Sequence, residues 1–310
     1  MRRQSCTRRE LAKLALAVTM LIGCDPGVRP DPDRVDPELA LPEKGTVPLD
    51  LRIGVTPHSG QDTASLLQPL FGYLERKLKQ PVKGVTAKDY DSLAELVKTG
   101  KVDVGIFSPL SYVKEKDGMR AVAIATATQH DSPTYVGYIV TVGEWPPPSL
   151  ESLKGKRIAY VHKSSSSGWL YPRALLRERG LDPDNFFAKP PVFAEDHKEA
   201  LRLLAVGDVE VAAVSGPFVD PGPLNPLIDD VERDSLQVVA KTDRIPFDCV
   251  VVRGDIQRDL GEQLQKALFD FVHEPEAAQL QKTWGMNGFV RPEGRYEDLA
   301  RHYEAEKDKK

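Results

Sequence analysis

Hydrophobic and polar positions in residues 51–109 follow two periods in turn, which predicts alternating strands and helices. Some segments alternate at every second residue, as a half-buried strand does. Others repeat apolar residues three and four apart, as one face of a helix does. The strands predicted here are Leu51–Thr56, Val82–Thr86 and Val102–Phe107, the helices are Thr63–Lys79 and Tyr90–Lys98, and Ser108-Pro109 is a turn. This order is typical of an α/β fold with a largely parallel sheet.

The second half of the chain repeats the alternation. Its predicted strands are Tyr135–Val142, Lys156–Val161, Val209–Val214, Leu236–Ala240 and Cys249–Arg253, and its predicted helices are Trp169–Arg179, His197–Val206, Arg258–His273 and Pro275–Trp284. Both halves contain a helix, a glycine and then an acidic strand, with Gly100 before Asp103 and Gly207 before Glu210. We therefore expect two similar lobes, with ligand held between them at the carboxyl ends of strands.

The first 24 residues have the pattern of an export signal. Five basic side chains precede an apolar run, Leu14–Ile22, that is too short to span a bilayer. The run ends in Leu21-Ile22-Gly23-Cys24, which resembles a lipobox and implies lipidation of Cys24. The alternative is a buried apolar stretch in a soluble helix. Thr7–Lys13 partly resembles a twin-arginine signal, so that both export routes stay open.

Residues 25–48 carry six prolines among charged residues, which predicts an extended tether. The alternative is a structured extension wrapped on the folded body. The chain has 42 basic and 46 acidic residues, a formal charge of -4, which argues against a nucleic-acid partner. Its three cysteines have no spacing to histidines that would suggest a zinc site. We expect no metal and no cofactor.

A run of four serines followed by a glycine is the strongest chemical signal. Ser164–Ser167 and Gly168 lie between a predicted strand and a predicted helix, where free backbone N–H groups and hydroxyls favour an anion. The alternative is simple capping of the helix. A hydrolytic role has little support. Lys163 stands two residues before Ser165, where a nucleophile elbow needs glycine, and no spacing supports a triad of Ser166, His197 and Asp248.

Six segments in order resemble the PhnD-like phosphonate, phosphite and phosphate receptors of ABC transporters. They are Thr86–Tyr90, Gly100–Val104, Ser108–Val113, Leu153–Arg157, Ser166–Gly168 and Ile245–Asp248. The resemblance covers about residue 50 to residue 285. It implies a type II periplasmic-binding-protein fold, in which each lobe is a mostly parallel sheet flanked by helices and two crossover strands form the hinge. We expect residues 49–141 and 246–310 in lobe 1 and residues 142–245 in lobe 2.

The resemblance also implies the ligand-binding residues. The family's two aromatics fall on Tyr90 and Tyr135, its Ser-Ser-Gly turn on Ser165, Ser166, Ser167 and Gly168, its histidine on His197 and its acid on Asp248. The loop after the first strand, with His58, is expected to face the cleft as well. Members that bind aminoalkylphosphonates place an acid just beyond the strand that here ends at Val214-Ser215. This chain has none before Asp220.

We therefore expect a monomeric, lipid-anchored receptor on the periplasmic side of the inner membrane. It would capture a small phosphorus oxyanion, a phosphonate without an amine or phosphite or phosphate, and deliver it to an ABC permease. The main alternative is a sensory receptor of the same fold that acts with a membrane histidine kinase. In arsenite-sensing relatives a cleft cysteine binds the metalloid, and Cys249 lies beside Asp248. A buried role for that thiol in the strand is the alternative.

Overall fold

The computed structural model describes residues 39–56, 62–143, 149–221, 236–292 and 296–307. The signal segment with Cys24, most of the proposed tether, and His58 lie outside these residues. Within the described ranges, no helix is both long enough and apolar enough to cross a membrane.

The first sheet has six strands in the order β11-β4-β10-β3-β1-β2. Its strands are β1 (Leu51–Val55), β2 (Val82–Thr86), β3 (Val104–Phe107), β4 (Ala121–Gln129), β10 (Cys249–Arg253) and β11 (Met286–Val290). The helices that belong with it are α1 (Thr63–Leu66), α2 (Gln68–Leu78), α3 (Tyr90–Lys98), α4 (Pro109–Met119), α7 (Arg258–Asp270) and α8 (Pro275–Trp284). We call this sheet and these helices lobe 1.

The second sheet has five strands in the order β7-β6-β8-β5-β9. They are β5 (Thr134–Val142), β6 (Ile158–Tyr160), β7 (Val192–Phe193), β8 (Val211–Ser215) and β9 (Leu236–Pro246). A π-helical turn (Ser166–Leu170) leads into α5 (Tyr171–Glu178), and α6 (His197–Ala205) packs on the other side. We call this part lobe 2. The predicted α/β class with two lobes is confirmed.

Both sheets are mixed, whereas mostly parallel sheets were expected. Strand β1 is parallel to β2 and β3, but β10 runs antiparallel to β3 and β4. In lobe 2, β5 runs antiparallel to both β8 and β9. The chain leaves β4 for β5, and β9 for β10, without an intervening helix. It therefore enters each sheet against the direction that strand–helix–strand units set.

The crossings between lobes fall at residues 130–133 and 247–248. Because β5 is hydrogen-bonded within the second sheet, lobe 2 begins at Thr134 and not at the expected residue 142. All described residues belong to one compact unit, Val35–Lys310.

Five further elements of the described residues were not predicted: α4, β4, β7, β11 and α9 (Glu297–Lys307). Strand β4 is buried along Ile124–Thr128 and so lacks a polar-apolar alternation. The predicted helix Thr63–Lys79 is divided at Leu67, because Pro69 lies in the first turn of α2, where it fits best as the start of a new helix.

Residues 39–48 correct part of the tether prediction. Leu41 is buried in the main core of lobe 1 against Gly261 of α7. Thr46 pairs with Ile256, and Gly45 approaches the Asp255 carbonyl so closely that a Cβ would lie 2.5 Å from its oxygen. These residues belong to the folded body and are not a solvated linker, because their leucines find an apolar surface to cover.

Helix α9 corrects the assignment of residues 246–310 to one lobe. Leu299 is buried in a cluster with Leu110 of lobe 1 and with Leu170 and Tyr171 of lobe 2. Glu306 pairs with both Arg173 and Arg177 on α5. The helix therefore packs across the two lobes.

The acidic strand seen twice in the sequence has the same structural role in both lobes. Asp103 is fully buried and accepts from the backbone N–H (3.0 Å) and Nε (2.9 Å) of Arg52, and Arg253 lies 3.1 Å away. Glu210 accepts from the backbone N–H (2.9 Å) and Nε (3.0 Å) of Arg157, but its side chain is 41% exposed. Each acid fastens the start of a neighbouring strand.

This difference in burial gives a matched test of stability. Asp103→Ala leaves two guanidinium groups without their buried partner and is expected to lower the free energy of unfolding by about 3–5 kcal/mol. Glu210→Ala removes a solvated pair and is expected to cost under about 1 kcal/mol. Urea unfolding of the two variants measures both values. Equal losses would contradict the inferred role of burial.

Candidate functional site

The serine turn is built as a tight, buried loop at the end of β6. Ser165 caps the π-helical turn, and its Oγ accepts from the Gly168 N–H at 3.0 Å. Ser165, Ser166 and Ser167 are all buried. A Cβ on Gly168 would lie 2.6 Å from Val161, so only glycine fits. The capping role and the close backbone approach are therefore both present, and the Ser167 hydroxyl is left for contacts outside the turn.

Tyr90 brings lobe 1 to this turn. It is the first residue of α3, whose start is fixed by a reciprocal capping box between Asp89 and Ser92. Its ring stacks on His162 of lobe 2, with centroids 5.1 Å apart. Burial raises the pKa of the Tyr90 phenol, and the charge of Asp248 adds to this, whereas a hydrogen bond with Ser165 lowers it. The phenol is therefore neutral at physiological pH and keeps its proton for donation.

Tyr135 reaches the same turn from the first crossing. Its hydroxyl donates to Ser167 Oγ at 3.3 Å, and its ring packs on Phe247 with centroids 4.7 Å apart. Burial and the charge of Asp248 raise the pKa of this phenol as well. The two tyrosines thus meet neighbouring serines from two directions.

His197 is positioned at the first residue of α6, after the capping residue Asp196. Its Nδ1 accepts from the backbone N–H of Ser215 at 3.2 Å. A nitrogen that accepts carries no proton, so the neutral ring holds its proton on Nε2. Phe218 packs against the ring, with centroids 5.1 Å apart. The imidazole is therefore oriented as a hydrogen-bond donor on its far side.

Asp248 lies at the second crossing, directly before β10. It lines a cavity of about 70 Å³ together with Tyr135, Ser215 and Trp284. Burial raises the pKa of its carboxyl group to about 7. Such a group holds a proton in a large fraction of molecules near neutral pH, and can then donate to an oxyanion instead of repelling it.

The structure brings most of the predicted residues together, through direct bonds and shared surroundings. Tyr90 meets Ser165, Tyr135 meets Ser167, and the charge of Asp248 acts on both phenols. His197 joins them through Ser215, which lines the Asp248 cavity. Ser166 has another partner, since its Oγ accepts from the Leu110 N–H of α4 at 3.1 Å. His58 lies outside the described residues.

The surroundings of Cys249 do not favour a role in ligand binding. Its side chain is fully buried in β10, and its Sγ lies 3.6 Å from the Phe107 carbonyl oxygen. Burial raises the pKa of this thiol, and the charge of Asp248 adds to the effect. A protonated, buried thiol is a poor ligand for a metalloid, which favours the structural alternative.

The sequence interpretation missed His162 and the contacts of α4. His162 stands just before the serine run, so an imidazole next to a hydroxyl cluster was an available signal. Helix α4 was not predicted, and its partners in the serine turn are more than 50 residues away along the chain. No local pattern reports such pairings.

The fold and the site together define a two-lobed α/β binding protein with hydroxyl donors at the junction of its lobes. A family model described as ABC transporter, phosphonate, periplasmic substrate-binding protein matches residues 53–295, and the chain belongs to this family. The resemblance found in the sequence is thereby confirmed.

Two curated relatives and one solved structure illustrate the similarity. The phosphate-import protein PhnD of Mycolicibacterium smegmatis is 28% identical over 198 residues, 60% of either chain. The phosphonates-binding periplasmic protein of Escherichia coli is 25% identical over 229 residues, 70% of this chain and 63% of that one. This chain thus spans about three fifths of the length of these relatives. PhnD1 of Prochlorococcus marinus in complex with methylphosphonate shares the fold, with a TM-score of 0.72 and 17% identity, over 84% of this chain and 98% of its own.

The raised pKa of Asp248 predicts a pH-dependent stability. The native carboxyl titrates near 7 and the unfolded one near 3.8, so that between these values the native state binds more protons. The free energy of unfolding should therefore fall as pH rises through this window, by at most about 1.4 kcal/mol per pH unit. Asp248→Asn should flatten this slope in urea unfolding at pH 5 and pH 7. Parallel slopes in the two proteins would argue against a shifted carboxyl.

Proposed function

We propose that this protein captures a small phosphorus oxyanion between its lobes and passes it to an ABC permease. The observation that carries the proposal is the set of neutral hydrogen-bonding groups at the junction: the phenols of Tyr90 and Tyr135 and the hydroxyls of Ser165 and Ser167. His197 adjoins this set through Ser215. A tetrahedral oxyanion offers several acceptor oxygens to such a set, and each bond to it is charge-assisted because the acceptor is ionised.

Binding acts through closure of the cleft. Tyr90 comes from lobe 1, the serine turn and His197 come from lobe 2, and Tyr135 and Asp248 adjoin the crossings. An anion that touches all of them bonds more groups in the closed arrangement than in an open one. That difference in bonding favours closure. The closed form then presents one defined surface to a membrane partner.

The ligand we favour carries no amine. Ser215 stands where an acid would bind an ammonium group, and the Asp220 carboxylate accepts from the Tyr138 hydroxyl at 2.8 and 3.0 Å. Asp248 is the acidic side chain that lines the cavity beside Tyr135 and Ser215. In its protonated form it can donate a hydrogen bond to a ligand oxygen or accept one from a ligand O–H. Methylphosphonate, phosphite and phosphate fit these donors better than aminoethylphosphonate.

Calorimetry tests the ligand assignment. We expect methylphosphonate, phosphite or phosphate to bind more tightly than aminoethylphosphonate. Ser167→Ala removes a hydroxyl donor and should weaken the tightest ligand about tenfold, the value of one hydrogen bond to a charged group. Ser149→Ala, at a remote helix start, serves as the control and should leave affinity unchanged. Tighter binding of the amino compound would reverse the proposal about the ligand, and no binding by any anion would refute the function.

We further propose that the chain is exported and lipid-anchored at Cys24, on the periplasmic side of the inner membrane, as a monomer. The proposal is supported by the basic segment, the apolar run and Leu21–Cys24 in the sequence. Metabolic labelling with a palmitate analogue should mark the wild-type protein. Cys24→Ala should abolish the label and release the protein from the membrane fraction. Labelling that survives the substitution would exclude this anchor.

A further inference from the structure

The hydroxyl, the backbone N–H and the carbonyl of Ser164 all have hydrogen-bond partners within the protein. Ser164 therefore has no polar group directed at an anion in this structure. Its hydroxyl donates to Asp91 Oδ1 at 2.8 Å and accepts from Lys114 Nζ. Its N–H donates to His162 Nδ1 at 3.1 Å, and its carbonyl accepts from Ser108 Oγ at 2.9 Å. The residue is fully buried, although it belongs to the run of four serines. It differs in this respect from Ser165 and Ser167, which meet the tyrosines.

The partners of Ser164 divide between the lobes in an informative way. Asp91 on α3 and Lys114 on α4 both belong to lobe 1, where their charged groups lie 3.5 Å apart. Ser164 belongs to lobe 2. Its hydroxyl therefore bonds to both members of an ion pair that lies within lobe 1. These bonds cross the junction of the lobes, so separation of the lobes would break them without dividing the ion pair.

Two further contacts reinforce the same junction. The Leu110 N–H donates to Ser166 Oγ at 3.1 Å, and the imidazole of His162 stacks on Tyr90. Ser108 both caps α4, accepting from Ser111 at 3.2 Å, and donates across the cleft. The start of α4 thus lies directly against the turn that carries the proposed anion site.

Burial raises the pKa of Asp91, but the hydrogen bond from Ser164 and the charge of Lys114 outweigh it, so that the pKa is lowered overall. The carboxylate is therefore charged at neutral pH, and the bond from Ser164 is of the stronger, charge-assisted kind.

We propose that Ser164, Lys114 and Asp91 form an inter-lobe latch that sets the affinity of the anion site without touching the anion. The inference rests on the proposed function and extends it, since it assigns the control of closure to residues outside the ligand shell. A latch of this kind stabilises the closed state by the same amount for every ligand. It therefore scales all affinities together, whereas a ligand contact changes them selectively.

Ser164→Ala tests the latch most directly. The change removes one hydroxyl and keeps the Asp91–Lys114 pair, so the lobes should fold as before. We expect about tenfold weaker binding of methylphosphonate, phosphite and phosphate alike, in line with the loss of charge-assisted bonds. The ratios between the three affinities should remain those of the wild type. In stopped-flow measurements, faster dissociation should account for most of the loss.

Lys114→Met provides the second variant, and Lys116→Met on the exposed side of the same helix is its charge-matched control. Lys114→Met should weaken all three anions together, and the double variant with Ser164→Ala should be no weaker than the more affected single variant, because both changes break one contact. Lys116→Met should retain wild-type affinity. Equal effects of Lys114→Met and Lys116→Met would reveal a general charge effect and overturn the latch.

A ligand-independent readout separates this proposal from the proposed function. Fluorescent labels on the two lobes report the closed fraction by single-molecule energy transfer, with and without methylphosphonate. We expect Ser164→Ala to lower the closed fraction. If no anion binds the wild type but Ser164→Ala still opens it, the function fails and the latch stands. Unchanged closure in the variant, or altered ratios among the anions, would overturn the latch.

Discussion

The junction of the two lobes depends on one constraint: the polar groups of residues 162–168 have hydrogen-bond partners in both lobes. The turn follows a strand of lobe 2, yet Ser164 and Ser166 of the turn bond to the starts of α3 and α4 in lobe 1. Buried polar groups are costly when unpaired. The groups of the turn that bond to α3 and α4 therefore make the free energy of the protein depend on the position of the lobes.

The carboxyl group of Asp248 lies close to the proposed anion site, where a negative charge would be unfavourable. Its burial resolves this difficulty, because burial favours the protonated form. An ionised carboxylate would repel an oxyanion and would be costly in a place where burial disfavours the charged form. With its pKa raised to about 7, the group can hold a proton instead. In that form the side chain carries a proton that it can donate, and the tyrosines beside it remain neutral for a related reason, since burial disfavours their phenolates.

How far the sequence could predict this protein depended on the range of the interactions concerned. Helices such as α3 and α7 have one buried face, so the sequence shows their period. Strand β1 alternates only at its start, where Arg52 lies between the buried Leu51 and Ile53. Strand β4 is buried on both faces along much of its length and α4 is buried mainly at its first turn, so neither has a clear period. The four serines, in contrast, are consecutive in the chain, so the sequence alone identifies them.

The remaining errors arose where distant parts of the chain meet. The proline-containing segment around Leu41 looked like a linker because its apolar partner, α7, lies about 220 residues further on. The sequence also could not show that Ser164 has other partners than Ser165, Ser166 and Ser167, because Asp91 and Lys114 are 73 and 50 residues away along the chain. The fold was accessible from pattern and resemblance, but the division of labour among the serines required the contacts.

The carboxyl-terminal helix carries a mechanical consequence. Near the start of α9, Leu299 packs against residues of both lobes. Near the end of the same helix, Glu306 pairs with Arg173 and Arg177 of α5. Because α9 contacts both lobes, any change in their relative position has to alter its apolar or ionic contacts with at least one of them.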